Sequence, residues 1–292
     1  MKGNMQRNND SSPFLSVVIA TFNYGRFLEA AIKSVLAQGR SDVELIVVDG
    51  GSTDNTVDII KKYEDKISWW CSEPDKGQSD AFNKGFSHSH GQYLTWLNAD
   101  DLLLPGTVDA VESSLRRCAA ASWATGNFLR FESSSGRIIQ VPWGPHRWPF
   151  CFQKTGYPVP AFGPTTFWSR KAYIEVGGID ETLHYTMDVE YWKRLTMNGQ
   201  KLVRVNHCCW AFRMHEESKT AEFGDHTRAD SVKSKMVAEL RSIDERTGHC
   251  VTSLGHAVMN FWRVVDGSAF VGLLRVLFYR GRNLSNVYKI DY

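Results

Sequence analysis

Two carboxylates and an amide stand within four residues at Asn98-Ala99-Asp100-Asp101, directly after the apolar run at 93–97. These are hard oxygen donors of the kind that suit Mg²⁺ or Mn²⁺, ions that in turn bind substrate phosphates. The plainer alternative is that Asp101 caps the helix that follows. Neither G-x-x-x-x-G-K-S/T nor G-x-G-x-x-G occurs in the chain. A diphosphate here would therefore need a metal rather than a glycine-rich cradle. Asp49, in the Asp49-Gly50-Gly51-Ser52 turn, could accept hydrogen bonds from a base or ribose, or merely form the turn. Asp80, in Asp75-Lys76-Gly77-Gln78-Ser79-Asp80, could reach the same pocket or simply favour the positive end of its helix. Asp188 opens Met187-Asp188-Val189-Glu190-Tyr191-Trp192, where it is either a general base or an N-cap. His215, between Arg213 and Lys219, is either a satisfied structural histidine or a group that helps hold a diphosphate or ligates a metal.

These groups need elements that bring them together. The runs at 15–20 (LSVVIA) and 43–48 (VELIVV) are continuous and rich in β-branched residues, as buried parallel strands are. Shorter strands are expected at 67–71 and 93–97. Between them apolar residues recur at helical spacing, at 26–37, after Asp54, at 78–88 and after Pro105. This alternation predicts an α/β fold with a parallel sheet and right-handed crossovers. Ligands in such sheets sit beyond the carboxyl ends of the strands. Thr21-Phe22-Asn23, the Asp49 turn and the segment from Asn98 to Asp101 all fall at such ends, so they are expected to converge.

The second half reads differently. Residues 122–132 and 137–141 form a hairpin pattern, and 142–164 holds six Pro among many aromatics, a candidate binding wall. Ser169 should cap a short helix closed by Gly177-Gly178, and a helix is expected over 188–198, then a strand over 201–205. From 225 onward the pattern is helical. Within it, residues 260–292 carry Arg263, Arg275, Arg280, Arg282 and Lys289 against Asp266 and Asp291, a local net of +3, interleaved with Phe and Leu. Such a helix lies in an anionic membrane surface, or packs on the domain or a dimer interface.

Composition excludes several classes. With 34 Lys+Arg against 32 Asp+Glu in 292 residues, the net charge is +2, so there is no broad basic footprint for nucleic acid. A hydrophobic share of 42% and a charged share of 23% exclude disorder as the dominant state. Ten Trp must either fill a core or stack on a flat ligand. Six Cys without a C-x-x-C pair argue against structural zinc and a disulfide framework, and for a reducing compartment. Residues 1–13 lack a signal peptide's apolar run and read as a disordered tail, giving a cytoplasmic expectation.

Four segments in order, SVVIATFNYGRFLEAAIKSVLAQ, ELIVVDGGSTDNT, DKGQSDAFNKGF and LNADD, resemble the inverting family 2 glycosyltransferases of GT-A fold. The later VGGIDE, MDVEYWKRL and RMHEESKT resemble a bacterial, cell-surface polysaccharide branch, and the resemblance covers about residues 15–220. It implies a mostly parallel central sheet flanked by helices in a domain over 14–220, with a nucleotide-sugar half (14–118), an acceptor half (119–220) and a helical C-terminal extension (221–292). It implies a nucleotide diphosphate sugar donor, a saccharide or lipid-linked saccharide acceptor and a Mg²⁺ or Mn²⁺ cofactor. Thr21, Asn23 and Asp49 would line the nucleotide pocket, with Asp80 beside the base or ribose. Asn98 and Asp100 stand where the family has its D-x-D motif, Asp100 as metal ligand, with Asn98 in place of the first Asp and Asp101 as a helper. Asp188 matches the catalytic base, although Met187 stands where the commoner partner is Glu. His215 matches a diphosphate- or metal-contacting position, with Arg213 and Lys219 beside it. A nucleotidyltransferase on a related fold and a non-catalytic carbohydrate-binding protein remain alternatives. Attachment at the cytoplasmic face of the inner membrane and homo-oligomerisation are both compatible with the tail.

Overall fold

The computed structural model describes residues 3–4, 12–142, 159, 161, 163–218, 229–248 and 251–290. In chain order the first half holds β1 (Gly3–Asn4), β2 (Leu15–Thr21), α1 (Gly25–Leu36), β3 (Val43–Asp49), α2 (Thr56–Lys62), β4 (Trp69–Ser72), α3 (Gln78–Ser87), β5 (Tyr93–Asn98), β6 (Leu102–Leu103) and α4 (Thr107–Arg117). The second half holds β7 (Trp123–Glu132), β8 (Ile138–Gln140), β9 (Thr166–Ser169), α5 (Arg170–Val176), α6 (Met187–Met197), β10 (Leu202–Met214), α7 (Ala229–Thr247), α8 (Ser253–Val265), α9 (Ser268–Tyr279) and α10 (Leu284–Tyr288).

The strands form one sheet in the spatial order β1-β4-β3-β2-β5-β9-β7-β10-β6, with β8 paired to β7. β4, β3, β2 and β5 run parallel, as the apolar runs require, and β10 runs parallel to β7. β9 lies antiparallel between β5 and β7 and joins the two halves. Side chains alternate across the central strands. Leu15, Val17 and Ile19 pack with residues of α1, α2 and α4, while Val18, Ile46 and Val48 pack with α3, α5 and α6. Burial on both faces explains why these strands read as continuous apolar runs.

Seven of the ten tryptophans serve the core. Trp69, Trp70, Trp96, Trp123, Trp168, Trp192 and Trp210 are all buried, and Trp96, Trp168 and Tyr191 meet ring to ring. The Pro-rich stretch expected as a binding wall lies almost wholly outside the described residues.

Two expectations are corrected, and the C-terminal helices take a place that the sequence left open. Gly3–Asn4, placed in a disordered tail, pairs antiparallel with Trp69 and Trp70 at the sheet edge. The strand expected over 201–205 continues to Met214, with irregular register near Cys208. There Cys209 and Trp210, adjacent in sequence, both enter one core cluster, which strict alternation would forbid. The C-terminal helices, finally, are tied into the preceding domain. Ile243 of α7 and Leu284 of α10 are fully buried in the domain's core clusters, Lys193 pairs with Asp244, and Arg246 Nη1 lies 2.8 Å from Asp180 Oδ2.

Close packing of α3 on β2 depends on Gly85, where an added Cβ would fall 2.3 Å from Val18 Cγ1. Gly85→Ala should cost about 1–3 kcal/mol through overpacking. The readout is a melting temperature lower by several degrees, at about 2–4 °C per kcal/mol for a chain of this size.

Candidate active site

Register brings the predicted turns together. Thr21 pairs with Asp49 and Ala20 with Asn98, so β2, β3 and β5 end at one level. A cavity of about 400 Å³ opens there, with Thr21, Asp75, Gln78, Asn98, Asp100 and Phe212 among its walls. The turns are cross-tied. Asn23, at φ +54°, accepts from Thr53 N at 2.8 Å through Oδ1, and its own N–H donates to Ser52 Oγ at 2.7 Å. Asp54 caps α2 through Thr56 N and also accepts from Gly25 N at the start of α1, both at 3.0 Å.

The Asn98–Asp101 turn divides its two carboxylates. Asp101 has no exposed surface. Its Oδ1 accepts from Arg213 N at 2.9 Å and its Oδ2 from Asn98 Nδ2 at 2.8 Å. Burial, with the Asp100 charge beside it, pushes its carboxyl well above the usual range. Asp101 is thus a clamp between β5 and β10 rather than a ligand-facing helper. Asp100 faces the cavity, and its Oδ2 lies 3.1 Å from His215 Nε2. Arg213 donates through Nε to Asp100 O at 2.7 Å, and its guanidinium lies between the Phe27 and Phe131 rings. Tyr24, on the cavity wall, has its hydroxyl pushed up to about 12 by burial and then by Asp100.

Asp100 and His215 form a donor set of one carboxylate oxygen and one imidazole nitrogen. His215 is nearly fully buried, and its Nδ1 has no hydrogen-bond partner among the described residues. No described cluster offers three or more metal-ligating side chains. A Mg²⁺ or Mn²⁺ ion fits two protein ligands, because such ions fill their remaining positions with waters and substrate phosphates.

Asp188 sits in the first turn of α6, with Thr186 as N-cap. Ser79 Oγ donates to Met187 Sδ at 2.9 Å, so this helix end lies against the start of α3, where Gln78 lines the cavity. Asp188 is partly exposed, yet burial of its carboxylate pushes the pKa up to about 6, against opposing bonds from Val189 N and its own backbone N–H. Glu190 is occupied by Arg194, which it holds through both oxygens at 2.7 Å. The N-terminus of α6 is capped from α7. Glu239 accepts from His184 N, Tyr185 N and Thr186 N at 3.0–3.1 Å and from Thr186 Oγ1 at 2.8 Å.

Residues 16–177 match the family described as Glycosyl transferase family 2. The chain belongs to that family. Curated relatives include an uncharacterized glycosyltransferase of Nostoc sp., 44% identical over 95 residues, which are 31% of this chain and 29% of that protein. Another is glycosyltransferase GlyG of Streptococcus pneumoniae, 27% identical over 130 residues, 44% of this chain and 43% of that one. The chain thus spans less than half the length of either. Among solved structures, S. aureus TarS 1–349 in complex with UDP matches at TM-score 0.58 and 16% identity, covering 70% of this chain and 61% of that one. Mannosyltransferase PcManGT from Pyrobaculum calidifontis, in complex with GDP-Man and Mn²⁺, matches at TM-score 0.57 and 14% identity, covering 95% and 79%. These likenesses show the GT-A fold.

Within this family 2 chain the cavity gathers Thr21, Asn98 and Asp100, with His215 directly behind Asp100. Thr21 Oγ1 is buried without a partner among the described residues. Asn23 is spent on tying turns. Asp49, expected to line the pocket, is fully buried and accepts from Ser52 N at 3.0 Å and Ser72 Oγ at 2.6 Å, the bonds its turn demands. Asp80 accepts from Lys76 N at 2.9 Å, while Asp75 lines the cavity. Arg213 lies buried behind Asp100, and Lys219 lies outside the described residues. Asp75 and Gln78 were missed. The signal was Gly77 between them, whose φ of +120° sets a turn that L side chains rarely adopt.

Glu239→Ala leaves three backbone donors at the α6 terminus unpaired and should cost about 1–3 kcal/mol. Burial raises the Glu239 pKa, but its hydrogen bonds together hold it below the ordinary glutamate value of 4.5. The stability gap between wild type and variant should therefore be full above pH 4.5 and narrow as pH falls below it, measured by denaturant unfolding.

Proposed function

We propose that the protein is an inverting, metal-dependent hexosyltransferase acting on a nucleotide diphosphate sugar and an acceptor hydroxyl. The observation that carries this reading is the division of the turn at 98–101: Asp100, paired with His215, is the carboxylate that faces the cavity, while Asp101 is buried. Asp100 and His215 would hold Mg²⁺ or Mn²⁺, and a bound cation neutralises charge that builds on a departing diphosphate. Thr21 and Gln78 offer polar groups to the nucleotide, and the exposed Phe22 ring on the same wall offers a face for stacking. The fold neighbours in complex with UDP and with GDP-Man support a nucleotide-sugar donor.

Asp188 is the proposed base. As the acceptor oxygen attacks the anomeric carbon, the bond from that carbon to the diphosphate breaks on the opposite face, and the acceptor proton passes to Asp188. The single displacement inverts configuration and needs no covalent sugar–enzyme intermediate. A pKa near 6 leaves the carboxylate ionised at neutral pH yet basic enough to accept a proton. Glu190, bound to Arg194, is not free for this role. The acceptor is proposed to be a saccharide or lipid-linked saccharide in cell-surface polysaccharide or glycolipid synthesis, with the reaction on the cytoplasmic side.

The test is product analysis with UDP- and GDP-sugars, with and without Mn²⁺. Nucleoside diphosphate should appear. Pyrophosphate would indicate nucleotidyl transfer, and tight binding without turnover a binding protein. Asp100→Ala should abolish transfer at an unchanged melting temperature, and excess EDTA should silence wild type until Mn²⁺ is restored. Asp188→Asn should bind donor normally and transfer at least about a hundredfold more slowly. In wild type, log kcat should fall with unit slope below pH about 6, as Asp188 takes up its proton. The stability effect has the opposite sense. The unfolded carboxyl ionises near 3.8 and the folded one near 6, so stability falls as pH rises between them. Asp188→Asn, which escapes that loss, should be at least as stable as wild type at pH 7.5.

A further inference from the structure

Large apolar side chains are concentrated on the surface of two consecutive helices. Of thirteen exposed large apolar residues among those described, nine lie between Leu254 and Phe278. On α8 they are Leu254, Phe261, Val264 and Val265, between 57% and 73% exposed. On α9 they are Phe270, Leu273, Leu274, Leu277 and Phe278, between 47% and 69% exposed. The spacing of three, four and seven residues puts each set on one stripe of its helix. A concentration of exposed apolar side chains of this kind marks a docking face.

Charge identifies the occupant. From 251 to 290 the chain carries Arg263, Arg275, Arg280, Arg282 and Lys289 but a single acid, Asp266. Arg280 and Arg282 are exposed, and the Arg282 guanidinium lies 4.3 Å from the centre of the exposed Phe278 ring, at the edge of the apolar stripe. A two-fold dimer through this face would bring the same cations against each other with almost no acid to answer them. An anionic surface answers them all. The helices are also held in place: Gly281 N donates to Ile138 O and Ile138 N to Arg282 O, both at 2.8 Å. No described helix is long and apolar enough to cross a bilayer.

We propose that α8 and α9 form a membrane-docking face, which seats its apolar stripes among the acyl chains of an anionic lipid surface and its arginines at the phosphates. Because the residues directly after α9 are bonded to β8, docking fixes the orientation of the whole domain at that surface. The proposal stands independently of the reaction assigned above.

The experiment is flotation of the full chain with vesicles of phosphatidylcholine alone and of phosphatidylcholine with phosphatidylglycerol. Wild type should float with the phosphatidylglycerol vesicles and be released by salt. Leu273→Glu with Leu277→Glu should reduce partitioning at least about tenfold. Arg280→Ala with Arg282→Ala should do so by a similar factor, at roughly fivefold per cation removed. All four positions are surface sites or partly so, and an unchanged melting temperature in each variant would show that the fold survives. Absence of flotation with phosphatidylglycerol overturns the proposal, as does equal flotation of wild type and both variants. Sedimentation velocity separates the remaining outcome: a dimer that Leu277→Glu dissociates, without vesicle binding, assigns the face to a second copy and overturns the proposal too.

Discussion

A carboxylate with no exposed surface has to find its hydrogen-bond donors inside the protein, and Asp101 finds one on each side of the sheet's mouth. The amide of Asn98 comes from its own turn, and the backbone N–H of Arg213 comes from the far strand. An unpaired buried polar group costs more than a surface one can return, so this arrangement tolerates little displacement. It fixes the neighbouring residue as well. With Asp101 held inward, the chain turns Asp100 outward to the cavity, within reach of His215. Arg213 completes the frame by bonding the carbonyl of Asp100 while its guanidinium is sandwiched between two rings.

The sequence made the first half of the fold legible because there local and global demands coincide. Strands such as LSVVIA are buried on both faces, so their apolar character is unbroken, and the helices between them bury one stripe. The second half depended on pairings that spacing does not encode. β10 continues through a kink where adjacent Cys209 and Trp210 pack the same way, and no period of two survives there. The site was legible as a set of turns but not as a set of directions. Asp49, Asp100 and Asp101 all lie at strand ends, yet whether each faces the ligand or the protein depends on donors contributed by Ser72, His215 and Arg213, the last two more than a hundred residues away.

The carboxylates of the second half show the same logic of context. Asp188 and Glu190 stand two residues apart on α6, and only their surroundings separate them. Glu190 meets Arg194 and is neutralised in place, whereas Asp188 meets backbone donors rather than a cation, and burial pushes its pKa up to about 6. α7 contributes to that setting from outside the nominal catalytic segment, because Glu239 supplies the acceptors that the start of α6 lacks. The seven buried tryptophans, similarly, prove to be packing material between sheet and helices.

The bond between Asp101 and Arg213 joins positions 112 residues apart. Contacts of such long separation form late, since the loop entropy of everything between them must first be overcome. During synthesis the β2–β5 sheet and its helices can assemble as soon as they emerge, but the mouth of the cavity stays open-ended until β10 has been translated and threaded beside β7. A nascent chain halted before residue 213 would own most of the sheet that frames the cavity and none of its closure. Closure of the cavity therefore arrives in one step, once β10 has been made, rather than growing with the chain.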